Sequence, residues 1–421
     1  MLQVGFIRQH TALVKQKLAI KNFKQPELVD ALLQWDDKRK QYQVEQEEIQ
    51  AKINASSKEI GQLMAKGESE KAAEIKNKVA EWKSQLTPDK LNEAEKKIET
   101  ILYTLPNLPS DKVPPGKTPE DNVVVREGGD KPSLYAGAVP HWDLTTRYNL
   151  INFELGNKIT GSGFPVYINK GAKLQRALIQ YFLDFNTAAG YTEILPPFLV
   201  NEASAFGTGQ LPDKEGQMYH ATEDNFYLIP TAEVPVTNIY RDVILKETEL
   251  PVKMTAYTPC FRREAGSYGK DVRGLNRLHQ FEKVELVQLV DPATSYAVLE
   301  EMVDHVEKLL QSLQLPYRIL KLCGGDMGFT AALTYDFEVY SAAQQKWLEV
   351  SSVSNFESYQ SNRLKARFKD GAGKMQLVHT LNGSSLALPR IVACLLENNQ
   401  APNGIALPKI LHPYFGNSVI D

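Results

Sequence analysis

The sequence predicts an α+β fold: an antiparallel sheet flanked by helices, preceded by an antiparallel two-helix coiled-coil arm. Three observations carry this. Apolar residues from Leu28 to Leu63 fall on an alternating four-three spacing, the mark of a heptad seam. Beyond residue 123, strand-like and helical segments do not alternate regularly, which argues against a doubly wound parallel sheet. Between Tyr257 and Leu289, two β-prone runs flank a long, charged, glycine-rich loop.

A chain of 421 residues has room for two or three domains, and 43% hydrophobic content supplies a core. The formal net charge of −3 gives no general basic signal, so a nucleic-acid partner must be held by local patches. Cys260, Cys323 and Cys394 are odd in number and widely spaced. That pattern is neither a disulfide framework nor a zinc site, and it predicts buried free thiols in a reducing cytosol. MLQVGFIRQHTALVKQ lacks a signal peptide's apolar core, and no run approaches roughly 18 apolar residues. A soluble, cytoplasmic protein without membrane contact is expected.

Residues 1 to about 25 read as a helical lead-in. Leu28, Leu32, Trp35, Tyr42, Ile49, Ile53, Ile60 and Leu63 then form the seam, with Arg39, Gln46 and Ser56 filling its gaps. AKGES (65–69) interrupts it. Ile75, Val79, Trp82 and Leu86 begin a second stripe; Pro88 shifts the phase, and Leu91, Ala94, Ile98, Ile101 and Leu105 resume it. Two legs joined by a short polar turn predict a hairpin roughly 50 Å long at ~1.5 Å per residue. From Gln50 to Ser84, seven lysines (52, 58, 66, 71, 76, 78, 83) outnumber five acids (59, 68, 70, 74, 81). Asp36, Asp37, Glu45, Glu47 and Glu48 reverse the balance near the base. A basic tip suits a phosphate backbone, although a dimerisation or scaffold element would look much the same.

LPNLPSDKVPPGKTPEDN (105–122) holds five prolines and predicts a linker at 106–122 between an N-terminal domain (1–105, arm about 27–105) and a second domain (123–421). Within that domain, 172–190 is a predicted helix with Leu174, Leu178, Phe182 and Phe185 on one stripe and Gly190 as its stop. YTEILPPFLV is extended, and Pro196 and Pro197 suit it to an edge or an interface. A strand ends near Pro230, with Thr231 and Glu233 two apart. Residues 294–315 form an amphipathic helix; YRILKLCGG, DFEVYSA and KWLEVSSVSNF supply strands. An apolar helix (386–399) tolerates Pro389 only in its first turn.

The hairpin is the most informative stretch. Tyr257–Arg263 and Phe281–Val290 are predicted strands, and side chains two apart share a face. That sets Arg262 beside Glu264, and Phe281 beside Glu285. A guanidinium, two carboxylates and an aromatic ring on one sheet floor can hold a phosphate, an amino group and a flat base. Solvated charges on a surface hairpin are the plainer alternative, but hairpin loops usually hold about 2–5 residues and longer ones tend to be functional or disordered. GSGFPV (161–166) lacks the third glycine of a dinucleotide fingerprint, and no Walker-type loop exists. His279 reads as structural or a mild phosphate contact, and Asp304 and His305 as structural.

Several segments together resemble one known family. FRREAGSYGKDVRGL followed by HQFEKVEL resembles motif 2 (257–289) of class II aminoacyl-tRNA synthetases, in the form found in seryl-tRNA synthetases of bacterial type. GYTEILPPFLV resembles the end of motif 1 (about 172–200), the dimer-interface helix and strand. GTGQLP (207–212) and PTAEVP (230–235) resemble the loops around the serine site. LEVSSVSNFESYQSNR (348–363) resembles the ATP and metal strand, and LNGSSLALPRIVACLLENNQ (381–400) resembles motif 3. The coiled coil resembles the family's tRNA-binding arm. The likeness runs over nearly the whole chain.

The resemblance implies a class II fold and an ATP-dependent ligase that charges serine tRNA. L-serine, ATP and Mg²⁺ would be its small ligands, a homodimer its assembly, and a selenocysteine tRNA a possible second substrate. Arg262 would grip the α-phosphate and the substrate carboxylate, and Arg390 the γ-phosphate; these two are the implied catalytic residues. Glu264 would accept from the adenine amino group and Phe281 would stack on the ring. Glu349, Val350, Ser351 and Ser352 would complete the ATP site, with Glu349 and Ser352 holding Mg²⁺. Thr231, Glu233, Arg262, Glu285, Asn382 and Ser384 would form the serine pocket. Arg273 and Arg277 would meet ATP or the acceptor end of the tRNA. Asn276, Leu278 and Ser385 depart from the residues common in the family, which are an apolar residue, a glutamine and a glycine. The zinc site of the unusual archaeal seryl enzymes finds no match, so no zinc is expected. Relatives that activate an amino acid for a carrier protein lack the long arm. A catalytically dead scaffold would have lost Arg262, Glu264 or Arg390, and all three are present.

Overall fold

The computed structural model describes residues 1–86, 88–214, 216–264 and 273–421. They form two compact units: residues 2–19 with 23–106, and Met1 with 20–22 and 107–421.

The first unit is helical. α1 (Val4–Gln9) and α2 (Thr11–Ile20) lead into α3 (Leu28–Ala65), which returns as α4 (Ser69–Gln85) and α5 (Pro88–Thr104). α3 packs against both α4 and α5. Tyr42, Gln46, Ile49, Ile53, Ser56, Ile60 and Leu63 are wholly or partly buried while the residues between them are exposed, so the four-three spacing is the packing seam. The 38 residues of α3 span roughly 57 Å at ~1.5 Å per residue. Pro88 opens α5, where its missing N–H costs no helical bond. At the base, burial broadens from the seam residue Leu32 to its neighbours Val29 and Asp36. Burial alone would raise the Asp36 carboxyl, but hydrogen bonds from Arg8, Lys40 and Arg39 outweigh it and pull it to about 2.

The second unit is built on an eight-stranded sheet. Its strands are β1 (Val123–Gly128), β2 (Thr192–Glu193), β3 (Val252–Phe261), β4 (Gln280–Val290), β5 (Tyr317–Lys321), β6 (Leu333–Ser341), β7 (Lys346–Asn355) and β8 (His379–Ala387). They lie in the order β1-β5-β6-β7-β8-β4-β3-β2. Neighbours are antiparallel except β2, which pairs parallel to β3 at the sheet edge, as the two prolines after it suit.

Helices α6 (His141–Arg147), α7 (Asn169–Ala188), α8 (Glu233–Asn238), α9 (Ser295–Ser312), α10 (Tyr359–Leu364) and α11 (Leu388–Asn398) complete the unit's frame. Leu174, Leu178 and Phe182 of α7 and Leu299, Met302, Val306 and Leu310 of α9 enter one core with the sheet. α11 is buried nearly all round, from Leu388 to Glu397.

The proline-rich segment is packed rather than free. Asn107 donates from its backbone to Phe329 O at 3.0 Å and from its amide to Thr330 O at 2.9 Å and Phe356 O at 2.8 Å. Ser110 N–H reaches Ala332 O at 2.8 Å, and Val113 joins the core. Composition alone suggests a linker; partners just before β6 and just after β7 turn it into a strap. Cys260, Cys323 and Cys394 are buried and free.

Candidate active site

A cavity of about 510 Å³ lies over β4, β7 and β8, the start of α11 and the residues just past the end of β3, which stops at Phe261 before Arg262 and Glu264. Thr231, Glu233, Arg262, Glu264, Phe281, Glu285, Glu349, Val350, Ser351, Ser352, Asn382, Ser384 and Arg390 all line it. Alternation along β4 aims Phe281, Lys283 and Glu285 into it. Strict alternation along β7 would split Glu349 from Ser352. A bulge there pairs Phe337 with Ser351 but Glu338 with Glu349, skipping Val350, so both side chains reach one face. Gly383 separates Asn382 and Ser384 on β8, and a Cβ at that position would meet Val353 Cγ2 at 2.8 Å.

One end of the cavity is a polar pocket. Lys283 Nζ sits 2.5 Å from Glu285 Oε2, and Thr231 Oγ1 donates to the same oxygen at 3.1 Å. Gln360 of α10 donates to Glu233 Oε1 at 2.6 Å and is itself held by Thr380 Oγ1 at 2.7 Å. Burial, then the nearby Glu285, raises the Glu233 carboxyl to about 7 against the opposing pull of Gln360, Lys283 and Arg262. Behind Glu285 runs a buried chain of hydrogen bonds. Thr255 Oγ1 donates to Glu285 O at 3.0 Å and accepts from Asn186 Nδ2 at 2.9 Å. Asn186 Oδ1 accepts from Ser385 Oγ at 3.0 Å and lies 2.8 Å from His305 Nε2. Ser385 thus has a structural partner that a glycine would lack.

The other end is cationic and aromatic. The Arg262 guanidinium lies 5.3 Å over the Phe281 ring, and its Nε donates to Pro230 O at 3.3 Å. Glu264 pairs with Arg277 at 2.7 Å, and its backbone N–H is met by Gln217 Oε1 at 3.0 Å. Arg390 donates to Asn276 O at 3.0 Å and to Glu349 O at 2.6 Å.

Glu349 and Ser352 fit a hard divalent cation that takes its remaining ligands from phosphate and water. No cluster of three or more His, Cys, Asp or Glu suited to a metal occurs among the described residues. Asp336 lies behind them on β6; burial, then Glu349, raises its carboxyl well above the ordinary range despite a bond from Ser352.

Other features lie elsewhere or escaped the sequence. His279 stays out of the cavity: it stacks on Phe164 at 5.4 Å, and its Nδ1 is 3.0 Å from Tyr219 Oη. Arg273 lies over Trp142 at 4.5 Å and does not line the cavity, whereas Arg277 does. Residues 265–272 of the hairpin loop fall outside the described residues. Lys283 and Gln360 are not among the residues the sequence points to. Lys283 was visible in the alternation of β4; Gln360, on a distant helix, had no local signal.

Residues 1–109 match the family described as seryl-tRNA synthetase N-terminal domain, and residues 217–399 that described as tRNA synthetase class II core domain (G, H, P, S and T). The chain is 50% identical over 420 residues to a serine–tRNA ligase of Salinibacter ruber, covering 99% of this chain and 98% of that one. It is 48% identical over 417 residues to a serine–tRNA ligase of Methylacidiphilum infernorum, covering 99% of each. Among solved structures, seryl-tRNA synthetase from Pyrococcus horikoshii complexed with ATP has a TM-score of 0.89 at 32% identity, over 100% of this chain and 99% of that one. The cytoplasmic serine–tRNA ligase of Naegleria fowleri in complex with AMP has a TM-score of 0.87 at 25% identity, over the same shares. With half of its residues shared end to end, and the fold shared as well, the chain belongs to the seryl-tRNA synthetase family, the class II serine–tRNA ligases.

Proposed function

We propose that the chain condenses L-serine with ATP to seryl-adenylate and passes the seryl group to the 3′ end of serine tRNA, as a cytoplasmic homodimer. The observation that carries this is the single cavity with a carboxylate pocket at one end and an arginine-flanked aromatic ring at the other. A small zwitterion suits the first end, and a nucleotide triphosphate the second.

The serine carboxylate attacks the α-phosphorus; the bond to the bridging oxygen breaks and pyrophosphate leaves. Arg262 holds both the α-phosphate and the attacking carboxylate, which suits a bidentate guanidinium. Arg390 takes the γ-phosphate, Glu264 the adenine amino group and Phe281 the ring. A carboxylate nucleophile is already ionised at neutral pH, so orientation and charge neutralisation dominate and no general base is required. Glu349 and Ser352 would hold Mg²⁺, which when bound would supply further neutralisation of phosphate charge. Thr231, Glu233, Glu285, Asn382 and Ser384 surround the amino acid. A pocket built to hydrogen-bond a hydroxyl rejects alanine and glycine, because its own buried groups would be left unpaired. In the second step the terminal ribose hydroxyl of the tRNA takes the seryl group and AMP leaves.

Serine-dependent exchange of labelled pyrophosphate into ATP tests the first step directly. Exchange with serine, absent with alanine and glycine, is the expected result. No exchange from the folded protein with Mg²⁺ present would sink the reading.

A further inference from the structure

His141 takes no part in the chemistry above, yet it is fully buried behind one wall of the site. It opens α6, and its partners come from separate parts of the chain. Its backbone N–H donates to Glu397 Oε1 at 2.9 Å, and its ring Nδ1 lies 2.7 Å from the same oxygen. On the ring's far side, the Leu275 N–H donates to Nε2 at 2.9 Å. An amide N–H can only donate, so Nε2 presents its lone pair and the ring proton sits on Nδ1, facing the carboxylate.

Glu397 is held in turn. Gln344 Nε2 donates to Oε1 at 2.9 Å, and the Ser341 hydroxyl donates to Oε2. Burial opposes the charge, but the bonds from His141 and Ser341 outweigh it and keep the carboxyl below its ordinary range. With Gln344 oriented by Glu397, its Oε1 accepts from Asn276 Nδ2 at 2.9 Å. The carbonyl of Asn276 then accepts from Arg390 Nε at 3.0 Å. Gly274 completes the fit: its φ is +67°, and a Cβ there would meet His141 Nε2 at 2.2 Å.

We propose that His141 is a positioning residue for this site. Backed by Glu397, the imidazole pins the Leu275 amide and so sets the wall at 274–278, which carries Arg277 and Leu278 and supplies the carbonyl that orients Arg390. The inference rests on the ATP role proposed for that wall.

Two substitutions divide the histidine's two bonds. Asn places its amide where Nδ1 stands and keeps the bond to Glu397; Gln reaches the place of Nε2 and keeps the bond to Leu275. In serine-dependent pyrophosphate exchange, His141→Asn is expected to raise KM for ATP about tenfold, the worth of roughly one buried hydrogen bond, with KM for serine within about twofold. His141→Gln should return KM for ATP to within about threefold of wild type, and Gly274→Ala should reproduce His141→Asn. Wild-type KM for ATP in His141→Asn and Gly274→Ala overturns the proposal. So does an equal rise in both KM values, or His141→Gln as impaired as His141→Asn. Absence of exchange in the wild-type chain is a different failure, because it removes the activity on which this inference stands.

Discussion

Burial and Glu285 together raise the Glu233 carboxyl from its ordinary 4.5 to about 7, and this sets how the pocket responds to pH. Between those values the folded chain holds a proton that the unfolded chain has released. Stability of the ligand-free protein therefore falls as pH rises through that window, by about 3 kcal/mol at most. Serine brings an ammonium group and favours the ionised carboxylate. KM for serine should accordingly rise as pH drops below about 7, by no more than about tenfold per pH unit. Glu233→Gln should raise KM and flatten that profile in exchange assays between pH 5.5 and 8; an unchanged slope would remove Glu233 as its source. Thr231 and Glu233 are legible in the sequence as a two-residue spacing after Pro230, but the shift is not. It depends on burial and on Glu285 arriving from β4, against the pull of Gln360 arriving from α10.

Elements with one repeating signal read well from the chain, and the arm is the best case. Its seam positions alternate four and three, and the turn at 65–69 matches the gap between α3 and α4. The charge pattern also survives folding, since Lys52, Lys58, Lys66, Lys71, Lys76, Lys78 and Lys83 are all exposed. If this basic stretch of the arm holds the tRNA backbone, replacing Lys52, Lys58, Lys76 and Lys78 by Gln should weaken tRNA binding by at least ~10-fold and lessen its salt dependence. Pyrophosphate exchange should stay at the wild-type rate. Equal loss of charging and exchange would count against this division of labour. The β7 strand shows the opposite limit. Period-two reasoning separates Glu349 from Ser352, and the bulge that reunites them is set by pairing with β6, not by the local sequence.

At the scale of the whole molecule, the catalytic unit exposes Leu195, Phe198 and Leu199 beside the edge strand β2, with Leu195 at 78% exposure. Apolar side chains grouped at a sheet edge mark an interaction surface, and the motif 1 resemblance makes it the surface on which the proposed homodimer would form. In a two-fold interface each substitution counts twice. Leu195→Asp with Phe198→Asp should therefore raise the dimer dissociation constant by ~100-fold or more, read by sedimentation across a concentration series. An unchanged sedimentation coefficient at every concentration would place the interface elsewhere. Among the described residues no helix is long and apolar enough to cross a membrane.

By itself the sequence determined what repeats or stands contiguous: the heptad legs, the strands flanking the charged loop, the apolar helix behind Pro389 and the motifs that point to the family. Such signals are local, so they survive without knowledge of the partner segment. The tertiary structure alone decided that the proline-rich stretch is a packed strap, that Lys283 neutralises Glu285, and that His141 reaches Leu275 through a ring backed by Glu397. The physical reason is the same in each case. A buried polar group must find its partner across the fold, and which group arrives there depends on how distant segments pack, which no local periodicity records.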